Sequence, residues 1–226
     1  MTLTETLIEP QHVPLADLGD GTDDVAAHRH TTRFLEVLAA VTARVDGAGI
    51  DRIARRLAEV RTAQGRLFLL GVGGGAGNAT HAVCDFRNLA GLDASSPTDN
   101  AATLTASIND RGWRNAVAEW LRCSNLGPRD AVMVFSVGGG SEEPPVSVNL
   151  VEALRCAREA GAYLCGVVGP DGGETARLAD DCVRVPVVER DFRTTHTEIF
   201  QSVVWHLLIT HPALATIRPR WESLCR

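Results

Sequence analysis

Apolar runs alternate with helix-like segments through most of this chain. Four runs lie at residues 66–72, 131–137, 163–169 and 182–188, and a shorter one lies near 94–98. Each is almost continuously apolar, which is typical of strands that are buried on both faces. Helical patterns follow at 76–90, 100–107, 112–125, 146–161, 173–179 and 194–211. This alternation predicts an α/β fold, a parallel sheet covered by helices on both faces.

Two further helical segments precede the first strand. An apolar stripe runs from about 26 to 63 and is interrupted at Gly47-Ala48-Gly49, which predicts two helices that cover the core or a partner subunit. The 226 residues suit one α/β domain. We therefore expect a flexible arm over 1–24, N-terminal helices over 25–63, the α/β core over 64–211 and a C-terminal tail over 212–226.

Charge and composition exclude several classes of protein. A net charge of -6 argues against a nucleic-acid-binding surface. No apolar run reaches the ~18 residues of a membrane span, and the first residues lack the pattern of a secretory signal. The six cysteines form no C-x-x-C pair and lie mostly in apolar contexts, which predicts reduced, buried thiols. We expect a cytoplasmic protein with neither a membrane nor a nucleic acid as partner.

Two glycine runs each follow a predicted strand. They are GVGGG at 71–75 and GGG at 138–140. The first matches the dinucleotide pattern G-x-G-x-x-A, but glycines are common in such turns, and no Lys-Ser/Thr pair follows to make a Walker loop. Both loops fall at the carboxyl ends of parallel strands, where backbone N–H groups and helix N-termini favour anions. The alternatives are a phosphate cradle and two tight turns.

Several motifs together resemble one known family. These are G-x-G-G-x-A at 71–76, H-x-x-x-D at 81–85, N-D-x-G-W at 109–113, a serine-glycine loop at 136–141, G-x-x-G-x-D-G-G at 166–173 and a last helix that ends in His. The combination resembles the sugar isomerase (SIS) domain, most closely the sedoheptulose 7-phosphate isomerases. The resemblance implies a flavodoxin-like, doubly wound parallel sheet with N-terminal helices. It also implies a homotetramer with active sites shared between subunits, and a seven-carbon sugar phosphate bound beside zinc.

The resemblance assigns a catalytic and a metal-binding group. His81 and His206 match family histidines, Asp85 stands where the family has glutamate, and Glu198 stands where it has glutamine. His81 and Asp85 share one helix face because they are four residues apart. Two imidazoles and two carboxylates make a plausible zinc set. We expect the metal site to comprise His81, Asp85, Glu198 and His206, with Asp85 or Glu198 as catalytic base and His206 as proton shuttle.

The resemblance also implies a set of substrate-binding residues. Relative to the family, Gly75 and Gly138 replace loop serines, and Val137 replaces a threonine. Phosphate binding would therefore rely on backbone N–H groups and on Arg87. The predicted substrate-binding residues are Gly73, Gly74, Gly75, Asn78, Arg87, Asn109, Asp110, Ser136, Gly138, Gly139, Ser141 and His196.

Two functions follow from these assignments. The first is an aldose–ketose isomerase that converts sedoheptulose 7-phosphate into a heptose 7-phosphate through an enediol. The alternative is a non-catalytic SIS module, a sugar-phosphate sensor or protein-interaction tetramer. Retention of the acids and imidazoles favours the enzyme, whereas loss of the loop serines favours the module or an altered substrate.

Overall fold

The computed structural model describes residues 24–224. In chain order the elements are α1 (Asp24–Thr42), α2 (Gly47–Thr62), β1 (Arg66–Gly71), α3 (Gly74–Ala90), β2 (Asp93–Ser95), α4 (Ala101–Cys123), β3 (Ala131–Ser136), α5 (Val148–Glu159), β4 (Tyr163–Val168), α6 (Gly173–Leu178), β5 (Asp181–Arg184), α7 (Arg193–Thr210) and α8 (Arg220–Leu224). All but α8 were expected from the sequence. The predicted arm over 1–24 lies outside the described residues except for Asp24.

The five strands form one parallel sheet in the order β2-β1-β3-β4-β5. This confirms the predicted α/β fold. The chain reverses its direction across the sheet between β1 and β3, and ligands of open α/β sheets bind beside such a switch point. The two glycine runs follow these two strands. They therefore lie next to each other at the carboxyl edge of the sheet.

Helices cover both faces of the sheet. One core lies between the sheet and the helices α2, α3 and α7, and it includes Ile53, Phe86 and Trp205. The other lies between the sheet and the helices α4 and α5, and it includes Leu121 and Leu154. Among the described helices, none is both long and apolar enough to cross a membrane.

The break between α1 and α2 differs from the prediction. The sequence places it at Gly47-Ala48-Gly49, but these residues form the first turn of α2. Asp46 caps this helix, since its carboxylate accepts the N–H of Gly49 at 3.0 Å. A Cβ on residue 49 would lie 2.6 Å from that carboxylate. The glycine therefore makes room for the cap instead of ending a helix.

Two other elements depart from their predicted lengths. The helical turns expected at 100–107 and 112–125 form one element, α4, which is kinked at Gly112 with φ 74° and ψ 160°. The last strand was expected over 182–188, but β5 ends at Arg184. Pro186 follows shortly, and proline cannot donate a hydrogen bond to a neighbouring strand.

The described cysteines are free thiols, but the expectation that they are buried is only partly correct. Cys156 and Cys165 are buried and Cys182 is intermediate, whereas Cys84 and Cys123 are exposed. The last two lie on α3 and at the end of α4, where the pattern of apolar neighbours does not fix which side of the helix faces water.

Candidate active site

The site is built on two helices that pack side by side and run in the same direction. Asn78 of α3 ties them together, since its amide nitrogen donates to Gln201 Oε1 at 2.9 Å and to the carbonyl oxygen of Glu198 at 3.0 Å. One turn further along, the ring of His81 meets that of Trp205 with centroids 4.6 Å apart. The contacts follow the same order along both helices, so His81 and Asp85 of α3 lie beside His206 of α7.

His81, Asp85 and His206 form a compact cluster between these helices. Asp85 Oδ2 lies 3.7 Å from His81 Nε2 and 3.9 Å from His206 Nε2. The ligand atoms of all three lie within 4.8 Å of one another. The Asp85 side chain is 19% exposed, and both imidazoles reach solvent. The structure thus brings three of the four predicted metal ligands together.

The hydrogen bonds of His206 leave one ring nitrogen free. Its Nδ1 lies 2.7 Å from the carbonyl oxygen of Ser202, so Nδ1 carries the proton and donates it. The lone pair of Nε2 then faces the Asp85 carboxylate. Two electron-pair donors pointing at one position suit a cation or a shared proton, and a backbone carbonyl behind the imidazole is the usual support of a metal-binding histidine.

Trp205 supports the cluster from beneath. Its ring stacks on that of His206 with centroids 3.4 Å apart and planes 30° from parallel. Trp205 is fully buried, and its Nε1 has no hydrogen-bond partner among the described residues. The sequence favours a core role for this residue, and its burial agrees. Its stacking against the imidazole restricts where His206 can point.

Glu198 lies apart from the cluster. Its carboxylate contacts Gly74 so closely that a Cβ on residue 74 would overlap it. Here it borders a cavity of 530 Å³ whose walls also include Phe34 of α1 and Asn78. The predicted role of Glu198 as a metal ligand or base stays a prediction, because the described geometry directs it to the first glycine run.

The first glycine run is packed tightly against β3. Gly73 has φ +58°, a conformation that favours glycine. A Cβ on Gly75 would overlap the carbonyl oxygen of Phe135, the penultimate residue of β3. The serine of related sequences therefore has no room at position 75 of this chain. Gly73 and Gly74 remain exposed, so their backbone is accessible to a ligand.

The second glycine run is held by hydrogen bonds within the chain. Ser136 Oγ accepts the N–H of Gly139 at 3.0 Å. The Gly139 carbonyl oxygen accepts both the N–H and the hydroxyl of Thr175 at 2.9 and 2.8 Å. Ser141 donates its hydroxyl to the Glu143 carbonyl oxygen at 3.1 Å. Only the Ser141 hydroxyl would have to exchange its partner to donate to a substrate, because Ser136 Oγ accepts an N–H and keeps its own hydrogen.

Three other predicted substrate contacts do not gather at this edge. Arg87 pairs with Asp93 at 2.7 Å and donates to the Ala94 carbonyl oxygen, at the start of β2 and thus at the opposite edge of the sheet. Asn109 donates to the Asp110 carboxylate at 2.9 Å on the exposed first half of α4. Within one chain, Arg87 does not reach the glycine runs.

His196 is buried instead of facing a ligand. It is 3% exposed and its ring lies between Phe34 and Phe192. Burial lowers the pKa of His196, although a hydrogen bond to the backbone of Phe34 opposes this. Its role in substrate binding remains a prediction that requires α1 to move.

Sequence reasoning does not single out Gln201. This residue is fully buried beside the site and holds Asn78, and its own Nε2 lacks a partner among the described residues. The available signal is the position of a long amide on an otherwise apolar helix face, four residues before Trp205.

The fold defines the class of protein. The structure matches phosphoheptose isomerase GmhA of Neisseria gonorrhoeae with a TM-score of 0.69 over 81% of this chain and 94% of that one, at 21% identity. A phosphoheptose isomerase of Francisella tularensis matches with a TM-score of 0.70 at 18% identity, over 83% and 96%. At such identities the likeness establishes the fold, which is that of the SIS domains.

Sequence relatives narrow this class to one family. No protein-family model matches the chain. A phosphoheptose isomerase of Solidesulfovibrio magneticus is 31% identical over 190 residues, which is 80% of this chain and 87% of the relative. Lincomycin biosynthesis protein LmbN of Streptomyces lincolnensis is 32% identical over 172 residues, 72% of this chain and 59% of that protein. The chain belongs to the phosphoheptose isomerase family.

Proposed function

We propose that this protein is a sugar-phosphate isomerase that converts sedoheptulose 7-phosphate into a heptose 7-phosphate. Membership of the phosphoheptose isomerase family supports the substrate and the reaction. The observation that carries the proposal is the Asp85 carboxylate between two imidazoles. A converging acid and two bases have no evident purpose in a purely structural module.

The reaction moves one proton between neighbouring carbons. A carboxylate takes the proton from C1 of the open-chain ketose, the electrons of the C–H bond form the enediol double bond, and the C2 oxygen gains a proton. The proton is then returned to C2 while the O1 hydroxyl loses its own, which gives the aldose. The base must lie within hydrogen-bond reach of C1, and a second group must serve the oxygens.

We assign the carbon-directed step to Glu198 and the oxygen-directed step to His206, which requires the Glu198 carboxylate to turn from Gly74 towards the cluster of His81, Asp85 and His206. The Glu198 carboxylate lines the cavity beside the first glycine run. The Nε2 of His206 would take the proton of the O1 hydroxyl and deliver it to the C2 oxygen, while its Nδ1 stays bonded to the Ser202 carbonyl oxygen. Asp85 is one methylene shorter than the family glutamate, which favours a role in holding His206 or a metal over a role as base.

The donor set of the cluster also fits zinc. His81, Asp85 and His206 would hold the ion, with Glu198 as the predicted fourth ligand, and these are atom types that zinc prefers. A bound zinc would polarise the substrate carbonyl and so favour removal of the neighbouring proton.

A homotetramer with shared active sites is part of this proposal. The outer face of α7 carries the exposed apolar side chains Val203 and Leu207, which line a surface cavity of 530 Å³ together with His206. A second copy that covers this face would bury apolar area and close one side of the site. Analytical ultracentrifugation tests it. A monomer at micromolar concentration would overturn this part of the proposal.

The decisive experiment follows sedoheptulose 7-phosphate by NMR with and without a chelator. We expect an aldose phosphate to form, and its loss on chelation would establish the metal site. Glu198→Gln keeps the size of the side chain and should lower turnover at least about 100-fold. Glu36→Gln on exposed α1 is the matched control and should leave turnover unchanged. Full activity of Glu198→Gln would overturn its role as base.

One observation favours the second candidate, a non-catalytic sugar-phosphate sensor. Gly75 and Gly138 stand where the family pattern has loop serines, so two side-chain donors of the glycine runs are missing. A sensor would bind sedoheptulose 7-phosphate, detectable by calorimetry, without forming any aldose even after zinc is added. The isomerase requires turnover under the same conditions.

A further inference from the structure

A second cleft lies at the opposite, amino edge of the sheet. It has a volume of 480 Å³ and is lined by the end of α2 and by the turns that lead into β3, β4 and β5. Strand β3 separates it from the second glycine run, a distance of about 20 Å for six residues. The cleft therefore takes no part in the site described above. Its size lies within the range of small-molecule sites.

Arginines dominate the rim of this cleft, and all but one of them have a carboxylate partner. Arg56 pairs with Glu59 at 2.5 Å and Arg158 pairs with Asp180 at 2.7 Å. Asp130 is matched by Arg66, which lies just outside the cleft, at 2.7 Å. These three pairs account for every carboxylate of the lining.

Arg129 is the cation left over. Within residues 24–224 its guanidinium makes neither an ion pair nor a hydrogen bond, although it lines the cleft. The lining holds three arginines and three carboxylates, and the guanidinium of Arg129 is unpaired because Arg66, outside the lining, takes Asp130. Burial raises the pKa of Tyr163, so that the phenol in the floor stays neutral and does not offset this charge.

The floor below these arginines is apolar and aromatic. Tyr163 is 5% exposed, and Ala162 and Val60 are buried beside it. The Arg56 guanidinium lies over the Tyr163 ring at 5.0 Å from its centroid. An apolar floor beside an unpaired guanidinium suits a molecule that has an apolar part as well as an anionic group. A guanidinium fork binds phosphate with two parallel hydrogen bonds.

We propose that this cleft is a second binding site, for a small organic phosphate whose phosphate group binds Arg129 and whose apolar part rests against Val60 and Ala162. The site is independent of the proposed isomerase reaction, since it lies at the other edge of the sheet and shares no lining residue with it. Arg56 and Arg158 reach the ligand by opening their exposed ion pairs, which contribute little to stability.

Residue-resolved NMR of the full-length protein with phenyl phosphate tests this site. We expect saturable shifts of the amides of Arg129, Gly161 and Ala162. Benzyl alcohol, which lacks the phosphate, should produce none of them at the same concentration. Equal shifts with benzyl alcohol, or shifts confined to residues 71–75 and 136–141, would overturn the proposal.

A pair of arginine variants removes the effect of overall charge. Arg129→Gln should weaken binding of phenyl phosphate at the cleft about tenfold, since it removes the charge-assisted hydrogen bonds. Arg55→Gln removes the same charge from an exposed position of α2 outside the cleft, and should change the affinity less than twofold. Equal affinities of the two variants would contradict the assignment. Arg129 is exposed and its side chain holds no other group, so both variants should fold.

Discussion

Two aspartates of this chain have opposite surroundings. Asp130, at the amino edge, accepts hydrogen bonds from the backbone N–H groups of Arg66 and Gly127 and from the Arg66 guanidinium. Asp85, in the second half of α3, has two imidazole nitrogens at 3.7 and 3.9 Å and no hydrogen bond among the described residues. Both side chains are largely buried, at 7% and 19% exposure.

The difference separates a structural carboxylate from one that is available for chemistry. A buried carboxylate normally satisfies its oxygens within the fold, and Asp130 does so. Asp85 instead holds acceptor positions open at a point where two imidazoles meet. A buried acid that lacks donors is costly, and such a cost is typical of sites that bind or react.

The largest effect we expect tests this contrast directly. Asp85→Asn should lower the rate of sedoheptulose 7-phosphate turnover about 1,000-fold or more, because it removes the charge that orients His206 or a metal. The free energy of unfolding should change by less than about 1 kcal/mol, since no hydrogen bond is lost. Turnover by NMR and urea unfolding measure the two quantities. Asp51→Asn on exposed α2 is the control, and a variant that unfolds more readily without losing turnover would reverse the assignment.

Asp130→Asn should do the opposite. We expect a loss of about 3 kcal/mol in the free energy of unfolding, because the Arg66 charge is left without its partner and the N–H donors lose a charged acceptor. Turnover of the folded fraction should be unchanged. An equally stable variant would remove the contrast between the two aspartates.

The pH dependence of stability sharpens this second prediction. Burial alone would raise the pKa of Asp130, but the hydrogen bonds from Arg66 and Gly127 hold it below the ordinary 3.8. The stabilising contribution of this group is therefore present above pH 3.8 and is lost as the pH falls further. The stability difference between the wild type and Asp130→Asn should shrink over the same range. A constant difference down to pH 2 would contradict it.

A third prediction concerns the packed part of the carboxyl edge. Gly75→Ser restores a serine that related sequences have, yet its Cβ would overlap the Phe135 carbonyl oxygen. We expect a loss of about 2 kcal/mol in stability, since the backbone of α3 must move away from β3. Thermal unfolding measures it. Retention of full stability would show that the first glycine run is looser than its contacts imply.

The smallest effect is expected at the matched position of the second run. Gly138 has nothing within 4 Å of an added Cβ. Gly138→Ser should change stability by less than about 0.5 kcal/mol, and a hydroxyl directed at the ligand should tighten sugar-phosphate binding about fivefold. Calorimetric titration measures the affinity. Weaker binding would indicate that the ligand needs the bare backbone there.

The sequence alone predicts those features that depend on residues close together in the chain. Near-continuous apolar strands and helical periodicity predict the parallel sheet, and the spacing of four residues places His81 and Asp85 on one face of α3. Strands that are buried on both faces leave few alternative folds, because their backbone N–H and C=O groups must pair with neighbouring strands that are also buried. That His206 joins His81 and Asp85 could be predicted only from the family resemblance, or seen only in the fold itself.

The rest of the site depends on partners that are remote in the chain. The spacing of residues cannot reveal that the Gly139 carbonyl oxygen binds Thr175, that Asn78 binds Gln201, or that Phe34 covers His196. Each outcome depends on where a distant backbone segment comes to rest. The unpaired guanidinium of Arg129 is of the same kind, since it appears only after every neighbouring carboxylate has been paired.

The parallel packing of α3 and α7 has a consequence for how the chain folds during its synthesis on the ribosome. The whole sheet is encoded before residue 185, whereas Glu198 and His206 belong to the last long helix. A growing chain can therefore pair all its strands before Glu198 and His206 have been synthesised. A fragment that ends before α7 would expose the groove along α3. It would also expose the surface that Trp205 normally covers. Such fragments would be inactive and prone to aggregate. Completion of the final helix therefore establishes activity and solubility together.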